Sequence, residues 1–516
     1  MPFTPILPSP FLTWLVFLGA IFALLGISEW AATRIGMRPE NSRQLVHVIV
    51  GVFIFLCPFI FREPFYPLIT ALLFIGINLV TLRVGRLKSM HATGRISYGT
   101  VYFPLAFVIL VALFWYRDPV ALQVAVLLLA FADPLAAWVG RRYGHRSFTL
   151  WRDPKTMAGT TAMFLGSALL TFLGVALLIP LSGDLGLSRG LDLAGLPWPQ
   201  LLTTVVLTAA LATIAEAQSS RGSDNITVPL SAALFVFLFR SLPSGSLIPV
   251  LLWAAGSALL LGLAARLKAL ALSGAITAWG MGLLIFLSGC TGQSGLSGGW
   301  AWITPIIAFF GLSSILTRFN RSMVTVSNPG REAGRRNLIQ VFANGGIPLL
   351  AAVAYGIWGY ELLYPVFLAA LAAATADTWG TEIGGWSGRP PRNIVTWRPV
   401  ARGDSGGITL VGTVGTLAGT AFLAAVGLWL QPQLLSGVDW LAISTIGFLA
   451  ATIDSILGAT VQARYLIPAT GRITENRSAD GPEVVLHSGW SWLDNNMVNL
   501  VCTGSGAAMG LLWLAV

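Results

Sequence analysis

Asp133 follows Ala132 at the end of one apolar stretch, and Asp377 follows Ala376 at the end of another. Each aspartate is trailed by glycines seven and eleven residues on, Gly140 and Gly144 in the first case and Gly384 and Gly388 in the second. A Trp-Arg pair comes next, Trp151-Arg152 and Trp397-Arg398, then a Gly-, Ser- and Thr-rich segment that opens another apolar run. An aspartate at the margin of a membrane helix is costly to keep and ordinarily has a function. Two such units in one chain imply one chemistry carried twice.

The surrounding residues are suited to a polyphosphate. In the first unit Arg141, Arg142, Arg152 and Lys155 can neutralise phosphate oxygens, while Thr156, Gly159 and Thr160 let hydroxyl and backbone donors approach them. Gly159-Thr160-Thr161 opens a helix, and a helix N-terminus favours an anion. Glu216, Asp224 and Asn225 return from later helices with the oxygen ligands that Mg²⁺ shares with a nucleotide. The second unit holds the same inventory: Asp377 and Glu382, then Arg392 and Arg398, then Ser405, Gly406, Gly407 and Thr409, with Asp454, Asp494 and Asn495 further on. Neither segment is a Walker phosphate loop, and no protein-kinase signature is present. Blander roles stay open for single residues. Arginines in such loops also set topology, glycines at helix ends also serve packing, and Trp residues at span ends also anchor the aromatic belt.

The elements that must position these groups are membrane helices. The chain has 516 residues, of which 55% are hydrophobic and 10% charged, a composition unlike that of a soluble globular protein. Sixteen apolar runs, from 11–28 through 119–140 and 363–379 to 496–515, have about the length that crosses a bilayer as helix. The expected fold is an all-α, polytopic integral membrane protein of about sixteen transmembrane helices. Placing the N-terminus outside leaves only Arg62, Arg117, Arg189 and Arg240 there out of 31 Lys and Arg, as the positive-inside rule asks. The net charge of +10 then marks cytoplasmic loops near anionic lipid, and no aromatic-plus-basic platform points to nucleic acid. The first apolar run lacks the flanks of a removed signal peptide. Cys57, Cys290 and Cys502 are scattered in or beside apolar runs, which suits neither a disulfide framework nor a zinc site.

The landmarks recur in one order. Arg43-Gln44-Leu45-Val46-His47 is echoed by Arg336-Asn337-Leu338-Ile339-Gln340, Ala212-Thr213-Ile214 before Glu216 by Ala451-Thr452-Ile453 before Asp454, and Asp224-Asn225 by Asp494-Asn495. The first half carries two extra runs between its landmarks. An even insertion keeps all paired landmarks on one side, so the reading is two parallel, degenerate repeats, unlike the inverted repeats of many transporters. A division near Arg266 and Lys268 gives domains 1–267 and 268–516.

The first half resembles the CTP-dependent polyprenol kinases, the phytol and dolichol kinase group. The resemblance is carried by Arg43, His47 and Gly51, by Ala132-Asp133 with Gly140-Arg141 and Gly144, by Lys155-Thr156 with Gly159-Thr160, and by Asp224-Asn225-Ile226-Thr227-Val228-Pro229. Where that group has Glu-Gly-Ser, this chain has Ala158-Gly159-Thr160. The second half is similar to the phytyl-phosphate kinase family, through Ser273-Gly274-Ala275, Leu316-Thr317-Arg318-Phe319, Gly334-Arg335-Arg336-Asn337, Ala376-Asp377-Thr378-Trp379 with Glu382 and Gly384, Ser405-Gly406-Gly407-Ile408-Thr409, and Leu493-Asp494-Asn495. Together these imply a fusion of two successive kinases that takes an isoprenoid alcohol such as phytol to its monophosphate and then its diphosphate. CTP and Mg²⁺ are implied, in salvage toward tocopherol-, quinone- or chlorophyll-type lipids. Asp133 and Asp377 would be the catalytic carboxylates. Arg43, His47, Arg336 and Asn337 would meet the substrate headgroup, and Glu216, Asp224, Asn225, Glu382, Asp454, Asp494 and Asn495 the metal. The sites would face the cytoplasm of a plasma or thylakoid-type membrane. A solute transporter and a cytidylyltransferase that forms a CDP-lipid are the other readings.

Overall fold

A helix that is apolar all round must be covered by other helices or by lipid, and its ends must be closed by donors and acceptors from the loops. The structure, a computed structural model, describes residues 9–35, 39–84, 98–184, 197–243, 245–291, 295–324, 336–468, 471–475 and 484–515, for some of them the backbone alone. All sixteen apolar runs lie on helices. Among the described residues twelve helices are long and apolar enough to cross a membrane, and Gln44–Ile60 and Gly99–Phe114 are shorter apolar helices. The two remaining runs lie on Asp224–Arg240, which is bounded by those charges, and on Leu363–Gly384, which carries Asp377 and Glu382. The expectation of an all-α chain needs one correction. Among the described residues seven short strands form two two-stranded ribbons and one three-stranded sheet, all in the connections.

The chain divides into two compact units, Met1–Ser241 and Leu242–Val516. The helix Leu247–Arg266, assigned to the first half by sequence reasoning, therefore belongs to the second unit. In each unit the helix that leads to the aspartate is the central one. In the first, Leu122, Val124 and Ala125 of Pro119–Leu127 are shut from solvent. In the second, every residue from Tyr364 to Ala376 of Leu363–Gly384 is buried, and five of the six from Ala369 to Ala374 are alanine. Small side chains let neighbouring backbones approach closely, which is how helices gain packing energy where lipid offers no hydrophobic contrast. Large apolar side chains such as Leu259, Leu410 and Trp429 remain exposed on the outer helices.

After each aspartate the chain makes the same local structure. The helix Asp133–Tyr143 leads to the ribbon of Ser147–Phe148 with Lys155–Thr156, and then to the helix Met157–Asp184. The helix Leu363–Gly384 leads to the ribbon of Arg392–Asn393 with Gly407–Ile408, and then to the helix Leu410–Leu430. A threonine opens each following helix: Thr156 Oγ1 accepts from Gly159 N at 3.2 Å, and Thr409 Oγ1 accepts from Gly412 N at 2.9 Å. Those glycines lie against Gly140 and Gly384. A Cβ on Gly159 would come within 3.3 Å of Gly140 Cα, and one on Gly412 within 3.2 Å of Gly384 Cα and 2.8 Å of Gly380 O.

Because two of the three nearest neighbours of Gly412, including the closest, are backbone atoms, no rotamer change can make room there. Gly412→Leu should cost about 1–3 kcal/mol, and Thr409→Ala about 1 kcal/mol through the lost cap. Gly262→Ala, where no atom lies within 4 Å of the added Cβ, should be neutral or stabilising. Thermal unfolding in detergent checks this. A Gly412→Leu protein as stable as Gly262→Ala would show that the two helices do not need backbone contact.

Candidate functional site

Pro134 has no N–H for the carbonyl four residues back and crowds it, so the helix widens into a π turn over Leu128–Ala132 immediately before Asp133. His47, on the helix Pro39–Ile60, uses this distortion: its Nε2 lies 2.9 Å from Leu129 O, and its ring stands edge-on to Phe103 at 4.6 Å. The glycine contact then brings the Lys155–Thr156 strand and the start of the next helix against the same turn. Around them lies a cavity of about 740 Å³ lined by His47, Asp133, Arg141, Lys155, Thr156, Gly159, Thr160, Glu216, Asp224 and Asn225, among others. That volume is within the range of small-ligand sites.

Its charges are arranged around Lys155. The ammonium Nζ lies 2.5 Å from Glu216 Oε1 and donates to Ser219 Oγ at 3.2 Å. Burial pulls this lysine's pKa down, but the carboxylates of Glu216, Asp224 and Asp133 outweigh burial and hold it above the ordinary value. Lys155 is thus a fixed cation among three acids. Asp224 Oδ1 accepts from Asn225 N at 3.0 Å and Asn225 Nδ2 at 3.2 Å. Asn225 Oδ1 and Thr160 Oγ1 are buried without hydrogen-bond partners. A buried acceptor and a buried hydroxyl without partners at a cavity wall are places for a ligand.

Sequence reasoning missed three polar side chains of the lining. Gln44, whose Oε1 accepts from Arg141 Nη2 at 2.9 Å, lies inside the Arg43–His47 segment, and Asp153 lies beside Arg152, so both were within view. Arg221 was not: it reaches the cavity only because the turn at 219–223 folds back, with its backbone N donating to Asp153 Oδ2 at 3.2 Å. Conversely Arg142 and Arg152 are exposed and do not line the cavity. Each guanidinium lies over its aromatic neighbour, Tyr143 at 5.7 Å and Trp151 at 5.3 Å. Arg43 lies on the helix Pro39–Ile60, and its side chain is outside the described residues.

In the second unit the candidate residues separate into groups. Asp377 and Glu382, five apart on one helix, point about 140° away from each other. Glu382 accepts from Thr317 Oγ1 at 2.7 Å and Asn320 Nδ2 at 2.8 Å, on the helix Gly295–Val324. Asp377 instead shares its field with Asp454 and Cys502, on the helices Gly437–Thr460 and Asn495–Leu514, and Asp454 is also repelled by Glu475. Asp454 Oδ2 is buried without a hydrogen-bond partner. Glu475 Oε1 accepts from Ser405 N at 3.1 Å, which ties the acidic group to the Gly-rich segment. Within that segment Gly406 has φ +79°, and a Cβ there would meet the Ala459 backbone at 2.6 Å, so only glycine fits.

Several residues expected to bind ligand also take part in the local structure. Asn337 closes a capping box with Gln340, Asp494 caps its helix through Met497 N at 3.0 Å, and Arg392 Nη1 donates to Trp397 O at 3.1 Å. Arg336 offers its carbonyl to Ala271 N at 3.1 Å, and Arg398 is exposed. Asn495 is the first residue of its helix.

Among the described residues no three His, Cys, Asp or Glu side chains converge to hold a metal. The donors do suit a hard cation that takes one or two carboxylates and completes its shell with substrate phosphates and water: Asp224 with the unpaired Asn225 Oδ1 in one unit, Asp377 with the unpaired Asp454 Oδ2 in the other.

Residues 255–507 match the family described as integral membrane protein DUF92. Protein PGR of Arabidopsis thaliana is 31% identical over 231 residues, which is 39% of this chain and 78% of that protein. A phytol kinase of Synechocystis is 29% identical over 207 residues, 40% of this chain and 82% of the kinase. A protein named phytol kinase 1, chloroplastic, from Arabidopsis thaliana is 26% identical over 236 residues, 43% of this chain and 73% of the relative. No solved structure matches the chain significantly.

Removing one partner of a largely buried ion pair strands the other. Lys155→Met should therefore cost about 3 kcal/mol, and Lys155→Met with Glu216→Leu should recover most of it. The lysine's pKa is raised on folding, so the pair's contribution is complete below the ordinary lysine value. It is lost only as pH climbs through the raised one. The midpoint gap between wild type and Lys155→Met should hold across neutral pH and shrink in strong alkali. Equal midpoints for the two proteins at neutral pH would refute the pairing.

Proposed function

Since the chain belongs to the DUF92 family of integral membrane proteins and also matches phytol kinases, we propose that it is a membrane-embedded kinase of an isoprenoid alcohol. The observation that carries this reading is the first-unit cavity, where one carboxylate, Asp133, shares a wall with a fixed cation, Lys155, and with partnerless hydrogen-bonding groups on Thr160 and Asn225. Phosphoryl transfer asks for alignment and charge neutralisation more than for covalent chemistry by the protein. Lys155 and Arg141 set positive charge against the donor phosphates. Thr160 and the glycine-opened helix N-terminus offer donors to the same oxygens. Mg²⁺, held by Asp224 and Asn225, would offset the remaining phosphate charge. Asp133 orients the acceptor hydroxyl and takes its proton as the hydroxyl oxygen bonds to the terminal phosphorus. The bond from that phosphorus to the bridging oxygen breaks, and the nucleoside diphosphate leaves with the bridging oxygen. CTP is the donor we propose.

The second unit repeats the order of aspartate helix, ribbon, threonine cap and glycine contact. On that basis we propose two parallel repeats and a second phosphorylation, monophosphate to diphosphate, at Asp377 and Asp454. The second acceptor is already ionised, so a base is less needed there than a cation. Phytol is the proposed alcohol, and its tail would stay in the lipid while the headgroup meets nucleotide on the cytoplasmic side.

Purified protein given labelled CTP with phytol or phytyl phosphate separately, with lipid products resolved, tests both steps. Asp133→Asn should lower the first step about 100-fold or more and spare the second, and Asp377→Asn the reverse. Loss of both steps in each variant would mean one composite site. Product carrying cytidine, with pyrophosphate released, would replace the kinase reading with a cytidylyl transfer.

Orientation has its own check. Cysteines at the exposed His145 and Thr396 should label from the cytoplasmic side only, and one at Pro432 from the opposite side. Labelling of His145 and Thr396 from opposite faces would end the parallel-repeat reading.

A further inference from the structure

The connection between the helices Gly437–Thr460 and Asn495–Leu514 folds into a three-stranded sheet, with Arg464–Ile467 paired to Arg472–Thr474 on one side and to Val485–Ser488 on the other. The register sets Leu466 opposite both Ile473 and Val485. Side chains alternate along a strand and paired residues share a face, so these three form one apolar row across the sheet. Tyr465, one residue earlier, turns to the other face and is 4% exposed, whereas Ile473 is 49% and Val485 54% exposed. The turn after the last strand adds Trp490 and Trp492, stacked at 5.6 Å and 53% and 61% exposed.

Both features are fastened where two apolar helices end. Trp490 N donates to Val461 O at 2.9 Å, just past one helix, and Ala463 N donates to Leu493 O at 2.9 Å, just before the other. Continuous apolar surface next to helix ends does not suit open water, and paired tryptophans at that level are what membrane–water boundaries collect. We infer that this sheet is a bilayer-contacting platform, whose Leu466–Ile473–Val485 row and Trp490–Trp492 pair lie in the boundary between lipid headgroups and acyl chains.

The platform also holds the Gly-rich segment. Arg464 Nη2 donates to Ser405 O and Gly458 O at 3.1 Å each, Gln462 Nε2 donates to Ser405 Oγ at 3.0 Å, and Glu475 takes the Ser405 N–H. Contact with lipid thereby sets the height of Ser405 relative to the bilayer, whatever reaction that segment serves. It would present the segment to a ligand whose polar head lies at the surface and whose tail remains in the membrane.

The test uses Ile473→Cys and Val485→Cys, each labelled with bimane in the full-length protein, since Cys57, Cys290 and Cys502 are buried. Vesicles of phosphatidylcholine and phosphatidylglycerol would carry a nitroxide near the headgroup, with iodide as the aqueous quencher. The nitroxide lipid should extinguish most of the emission at both positions, and iodide little of it. Strong quenching by iodide with none by the lipid would overturn the inference. So would protection from both quenchers that disappears on dilution in lipid, because a second copy of the chain would then cover the sheet. The readout is spectroscopic and stands apart from any kinase activity.

Discussion

Contact between two helix backbones at a pair of glycines is the constraint on which each unit is built. Gly140 against Gly159, and Gly384 against Gly412, bring the aspartate helix and the one after it closer than any side chain would allow. The threonine that precedes the second glycine closes the helix start at the same point. A short ribbon must then span the gap between the two helices, and it carries the polar residues back over the aspartate. Helix, ribbon, cap and glycine are one mechanical unit. Its parts hold position without a hydrophobic contrast with lipid, through van der Waals contact and a satisfied helix terminus.

The two units use this frame with different electrostatics. In the first, the residue before the capping threonine is Lys155, which is held by Glu216 and by the field of Asp133 and Asp224. In the second, Ile408 occupies that place in the ribbon, and Asp454 lies in the like-charge field of Asp377 and Glu475. A site with a built-in cation suits a neutral acceptor beside an anionic donor. A site left acidic suits a bound cation, which an acceptor already carrying phosphate would require.

Much of this was legible in the residues. Apolar run length places the helices because a bilayer asks for about twenty apolar residues of helix and for no exposed backbone polar group. The aspartate–glycine spacing and the Gly-, Ser- and Thr-rich segments mark the frame in the sequence, and the structure adds the threonine caps within them. Lys155, Thr160, Glu216 and Asp224 could be chosen by chemistry alone, and the cavity does bring them together.

What sequence could not decide was which groups meet, because that depends on helix rotation and on how connections fold back. Five residues along a helix turn Glu382 toward Thr317 and Asn320 and leave Asp377 facing Asp454. Arg142 and Arg152 carry the charge a phosphate wants, yet they stack on their own aromatic neighbours outside the cavity. Asn337 and Asp494 resemble ligand residues, and their side chains also close helix termini. Arg221 joins the cavity through a turn that no periodicity marks. The sheet after Thr460 arises from strand pairing within a single connection, and strand register is a property of the folded connection. Sequence determined the helices, the frame and the kinds of chemistry available. Tertiary structure decided the partners, because a side chain's neighbours depend on rotation, register and the path of the chain.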